Sequence, residues 1–90
     1  MRICKVIGHI WSTKKEPSLE GLKFMVVREK DAKDRPPFVA VDLAGAGEGE
    51  EVLVVSGSTA RYAVKNNNAP IDAAIVGIID TYETEKAGKK

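Results

Sequence analysis

The amino-acid sequence predicts an all-β fold: a small five-stranded barrel with one short helix between its fourth and fifth strands. Three observations lead there. Five runs rich in valine, isoleucine and aromatic residues are separated by breaks of proline, glycine or asparagine, the pattern of short strands joined by turns. Only one stretch, Thr59 to Val64, reads as helical. With 90 residues the chain holds a single core, and a small sheet protects its edges best by closing on itself.

The first strand is expected from Arg2 to Trp11, a run dominated by isoleucine and valine. Thr13 to Glu20 is polar with a central proline and reads as a loop. Gly21 to Lys30 is the second strand, with Leu22, Phe24 and Val26 on one face and Lys23, Met25 and Val27 on the other. Asp31 to Pro37 turns the chain, because Pro36 and Pro37 have no N–H for a ladder. Phe38 to Leu43 forms the third strand, and the acidic, glycine-rich stretch from Asp42 to Glu51 leads into the fourth, Val52 to Ser56.

Gly57 ends that strand, and Ser58 is placed to cap a helix from Thr59 to Val64. Asn66, Asn67 and Asn68 tolerate left-handed backbone and suit the helix exit, and Pro70 prevents its resumption. The fifth strand runs from Ala73 to Tyr82. Residues 1–82 are therefore the folded domain, and residues 83–90 a charged C-terminal tail. The small closed solution for such a series is an OB-like barrel.

Composition narrows the function classes. Lysine and arginine number 14 against 13 acidic residues, too even a balance to gather nucleic acid or an anionic membrane by charge alone. The single cysteine, Cys4, rules out an intramolecular disulfide and fits a reducing cytoplasm. The opening residues lack a signal-peptide pattern. The longest apolar run, Ala73 to Ile79, has seven residues, against the roughly 18 of a membrane helix. A soluble cytoplasmic protein without a membrane partner is expected.

The strands carry more apolar faces than one small core can use. Cys4, Val6 and Ile10 share a face of the first strand, while Ile3, Ile7 and Trp11 occupy the other. Val76 and Ile78 back Ala73, Ile75 and Ile79, and Leu53 and Val55 stand behind Val52 and Val54. Either loops and the helix cover these second faces, or neighbouring copies do.

Three ordered segments stand out: Met1 to Gly8 running into Ser12–Lys15 and Leu19–Lys23; Asp42 to Gly47 followed by Val52–Val54 and Gly57–Arg61; and Pro70 to Asp80. Together they resemble the EutN/CcmL family of bacterial microcompartment vertex proteins. The resemblance spans nearly the whole chain and implies an OB-like subunit forming a homopentamer. Such pentamers would cap the vertices of a polyhedral shell otherwise tiled by hexameric shell proteins. This implies a structural role, with no catalytic residue, cofactor or metal. His9, Trp11 and the charged tail depart from the family pattern. The surplus faces, the glycine loop and the family motifs together nominate Ile3, Ile7, Trp11, Gly45, Gly47 and Arg61 as subunit-interface residues.

Other chemistries fit less well. Gly45 to Gly49 resembles a phosphate loop only faintly: a strand follows it, and Glu48, Glu50 and Glu51 would repel an anion. Ser56 and Ser58 have no base tied to them by spacing, and Cys4 with His9 makes no metal cluster, so Cys4 reads as a buried hydrophobe. Asp72 and Asp80 suggest a structural ion pair with Arg61 more than acid–base work. The alternative from another class is an OB-fold single-stranded nucleic-acid-binding protein using Trp11, Phe24, Phe38, Tyr62 and Tyr82 with Lys14 and Lys15.

Overall fold

Residues 1–11, 15–32, 34–66 and 68–80 are described by the computed structural model. They form β1 (Arg2–Ile10), a 3₁₀ turn (Pro17–Leu19), β2 (Lys23–Glu29), β3 (Phe38–Asp42), β4 (Glu51–Ser56), α1 (Ser58–Ala63) and β5 (Ala73–Ile79). Tyr82, the expected end of the fifth strand, and the tail at 83–90 lie outside the described residues. The strands close into a barrel in the order β1-β2-β3-β5-β4. β5 inserts between β3 and β4, parallel to the first and antiparallel to the second. Inside, Cys4, Val6, Val27, Val52, Val54 and Ile75 are fully buried, and Ala46 joins the core from the β3–β4 connection.

Two bulges change the expected faces. In β1 the register slips between Val6 and Gly8, so Val6 pairs with Val27 and Gly8 with Val26. Ile7 is the extra residue. Because strand side chains alternate, one extra residue reverses every position beyond it. Ile10 therefore comes opposite Phe24 on the outer face, 36% exposed, instead of sharing the core face with Cys4 and Val6. Trp11 correspondingly leaves the face of Ile3 and Ile7. In β5, Leu53 pairs with Gly77 and Val54 with Ile75, leaving Val76 as the extra residue. Ile78 then comes level with Val52, and Ile79 with Glu51, so Ile75 and Ile79 no longer share a face.

The surplus apolar surface divides between the two coverings. Val41, Ala69 and Ile71 form a second cluster outside the barrel with Leu19, Leu22, Phe24 and Val64. The helix packs Ala60 and Ala63 on Val55 and Ala74. Ile7, Ile10, Leu43 and Val76 stay exposed.

The helix is capped differently from expectation. Its N-cap is Gly57, at φ 66° and ψ −142° with no side-chain cap, and Ser58 lies inside the helix. Gly57 donates its N–H to the carbonyl of Asp72 at 2.8 Å. The abrupt strand-to-helix reversal uses a conformation open to glycine, and leaves no place for a serine cap. At the other end Lys65 takes the left-handed conformation, at φ 63°, rather than Asn66 or Asn68; Asn67 lies outside the described residues. Lys65 and Asn66 donate to the carbonyls of Tyr62 and Arg61, closing a Schellman motif. Asn66 instead accepts from the N–H of Asn68.

Candidate subunit interfaces

The first half of β1 carries an apolar stripe on the barrel's outer wall. Ile3 pairs with Leu53, which pairs with Gly77. A Cβ on Gly77 would lie 3.8 Å from Leu53 Cδ1, so the glycine makes room for the leucine. Ile7 continues the stripe at 41% exposure. Lys5 lies between them, paired with Arg28 on one side and Glu51 on the other. Glu51 Oε2 accepts from Lys30 Nζ at 2.6 Å. Arg28 Nε is buried without a hydrogen-bond partner among the described residues. Ile3 and Ile7 are therefore together on one face, and basic groups border it.

The glycine loop is anchored to its own barrel. Asp42 Oδ1 accepts from the N–H groups of Ala44 and Gly45 at 3.0 and 3.1 Å, and Oδ2 from Ala46 at 2.9 Å. Glu50 Oε1 accepts from the Gly47 N–H at 2.7 Å. Further on, the Gly49 N–H bonds the Val6 carbonyl and the Glu50 carbonyl takes the Val6 N–H. Gly45 turns at φ 79° with open space at its Cβ position. These amides already serve carboxylates of this chain, so the loop offers no cradle for phosphate. Gly45 is exposed and Gly47 half-buried at this end of the barrel.

Trp11 stands at the same end. It is 89% exposed, and its ring stacks on His9 with centroids 5.8 Å apart. His9 Nδ1 lies 2.9 Å from Glu48 Oε2, which ties the end of β1 to the glycine loop. The histidine is thus engaged structurally and sits far from both serines. Ser56 receives Arg2 Nη2 at 2.9 Å at the opposite end of the barrel. Seven residues of extended strand separate Arg2 from His9, roughly 23 Å.

Arg61 makes a different bond from the one expected. Its Nη1 donates to the Ile71 carbonyl at 3.1 Å, and among the described residues it pairs with neither Asp72 nor Asp80. The carbonyl one residue ahead of Asp72 meets the guanidinium first, and the bond ties α1 to the approach of β5.

Arg2 was not a candidate, because its partners come from distant strands. Its guanidinium carbon lies 4.3 Å from the centre of the Phe38 ring, and Nη1 lies 3.7 Å from Glu29. Glu29 also receives Arg35 Nη1 at 3.2 Å. Cys4, next along the same face, is wholly buried. Burial pushes its thiol pKa up, the Arg2 charge partly offsets this, and Glu29 adds to the rise. Among the described residues no cluster of three or more histidine, cysteine or acidic side chains could hold a metal.

Residues 1–80 match the protein family described as ethanolamine utilisation protein EutN/carboxysome. The chain belongs to the EutN/CcmL family. It is 48% identical over 87 residues to the bacterial microcompartment shell vertex protein GrpN of Rhodospirillum rubrum, covering 93% of this chain and 98% of GrpN. To the carboxysome shell vertex protein CcmL of Synechococcus elongatus it is 47% identical over 88 residues, covering 94% and 89%. The solved GrpN pentameric microcompartment shell protein of R. rubrum superposes with a TM-score of 0.81 at 47% identity, over 93% of this chain and 99% of that one. CcmL of Gloeobacter violaceus superposes at 0.83 with 39% identity, over 94% and 91%. These family members are structural shell proteins, not enzymes, and none points to single-stranded nucleic acid.

Proposed function

We propose that this chain is the vertex subunit of a bacterial microcompartment, five copies closing into a ring that caps a corner of the shell. The observation that carries the reading is the end-to-end likeness to pentameric GrpN. The outward stripe of half-buried Ile3 and exposed Ile7 supports it from the chain's own chemistry. The work is geometric. A flat layer of hexamers cannot enclose a volume unless five-fold units replace six-fold ones at its corners. The ring's partners are then the hexameric shell proteins around its rim, and no cofactor takes part.

A cyclic ring joins two different patches on each subunit. The β1 face with Ile3 and Ile7 supplies one. Gly45, Gly47 and Trp11 at the barrel's end extend the candidate contact surface, as does Arg61, whose guanidinium carries five donors, one of them bonded to the Ile71 carbonyl. Burying an isoleucine is worth about 1.5–3 kcal/mol, and a buried unpaired carboxylate adds a further penalty. Ile7→Glu should therefore yield monomer or aggregate in size-exclusion chromatography with light scattering. A variant that keeps the wild-type ring mass would rule out this placement of the interface.

A further inference from the structure

We propose that the cavity beside Trp11 receives an aromatic side chain flanked by carboxylates from a neighbouring copy, namely its Asp80-Thr81-Tyr82-Glu83 segment. The proposal rests on the oligomeric reading above. Trp11 is the chain's one tryptophan and is 89% exposed. It is nevertheless held in place, stacked on His9 at an interplanar angle of 11°, with His9 bound to Glu48. An exposed tryptophan already ordered by its own chain loses little freedom on binding, which is the character of an interface hot spot.

The adjoining cavity has a volume of about 250 Å³. Ile10, Trp11, Phe24 and Met25 give it apolar walls, and Lys15 and Lys23 bring positive charge. Lys15 Nζ lies 5.6 Å from the centre of the Phe24 ring. Small-molecule sites usually occupy about 300–1,000 Å³. This smaller space suits one large side chain, and its two lysines call for carboxylates on either side of that residue.

The chain's two tyrosines, Tyr62 and Tyr82, are the aromatic candidates. Tyr62 is exposed but has Arg61 and Lys65 as neighbours, the wrong sign for Lys15 and Lys23. Tyr82 lies in the sequence between Asp80 and Glu83, with Glu85 beyond. Its apolar ring and wet hydroxyl match a pocket that is apolar within and polar at its edge.

The topology favours a neighbour's segment over the same chain's. β5 sits between β3 and β4, and the connection between those two strands closes over the same barrel end, with Ala46 in the core and Gly49 and Glu50 bonded to Val6 of β1. By register Ile79 is level with Glu51 and Glu51 with Lys5, so the cavity at His9–Trp11 lies about four to six residues, roughly 13–20 Å, further along β1. The two residues from Asp80 to Tyr82 reach at most about 7 Å.

The test uses Trp11 fluorescence in the full-length assembled protein. Tyr82→Ala, and separately Lys15→Glu with Lys23→Glu, should each raise acrylamide quenching by about two-fold and shift emission to the red, as expected when an indole passes from an enclosed to a wet site. Rings are then co-assembled from Tyr82→Ala subunits and a four-fold excess of Trp11→Phe subunits. Protection of the remaining Trp11 should return, because neighbours supply the tyrosine. Unchanged quenching on Tyr82→Ala in an intact ring, or no recovery in mixed rings, would overturn the proposal while leaving the pentamer standing. A wild-type monomer by native mass would remove both.

Discussion

Asp42 organises one end of the barrel by accepting three backbone N–H groups with a single carboxylate. Its place at the start of the glycine loop is plain in the sequence; its role is not, because it depends on the path of the next four residues. Removing the carboxylate leaves those amides without their acceptor, so Asp42→Ala should cost about 1–3 kcal/mol in urea unfolding. Cys4 makes a prediction of opposite kind. Its folded thiol pKa is raised by burial, so above the ordinary thiol range the unfolded chain ionises while the folded chain keeps its proton. Stability must then fall as pH rises through the window between the unfolded and folded pKa values. Unfolding free energies measured across that alkaline range should show the slope in the wild type and lose it in Cys4→Val.

Among the elements, the five strands and the helix were legible to within a few residues, since β-branched runs and turn residues alternate cleanly. The faces were less legible. Strict alternation places Ile10 with Val6 and Ile79 with Ile75, and both assignments fail at a bulge. A signal existed: each bulged residue is followed by a glycine inside a strand, Gly8 after Ile7 and Gly77 after Val76, and interior strand glycines often mark bulges. The helix cap departs from the sequence expectation for a related reason. Ser58 has the right chemistry, but the turn needs the positive φ of Gly57. Open space surrounds a Cβ at that position, so Gly57→Ala isolates backbone strain from packing. A loss of about 1–3 kcal/mol in thermal or urea unfolding is expected; an unchanged midpoint would mean that the turn relaxes without cost.

At the scale of the whole molecule, the surplus of apolar faces has two destinations. The helix, with Val64, Ala69 and Ile71 beyond it, covers the outer surfaces of β2 to β5 from within the subunit, whereas Ile3 and Ile7 on β1 keep an open flank. Sequence patterning revealed the surplus, but dividing it needed the three-dimensional path of residues 57–72. Of the six interface candidates, Ile3 and Ile7 lie on one face of β1 with Lys5 between them, Gly45, Gly47 and Trp11 gather at one barrel end, and Arg61 stands apart on the helix. Their spread over the subunit suits a ring, in which each copy touches two neighbours through different surfaces. The most direct test of that ring is native mass spectrometry of the full-length protein at near-physiological salt. The account predicts a dominant species of five times the 9.7-kDa chain; a stable monomer, or a closed ring of another number, would contradict it.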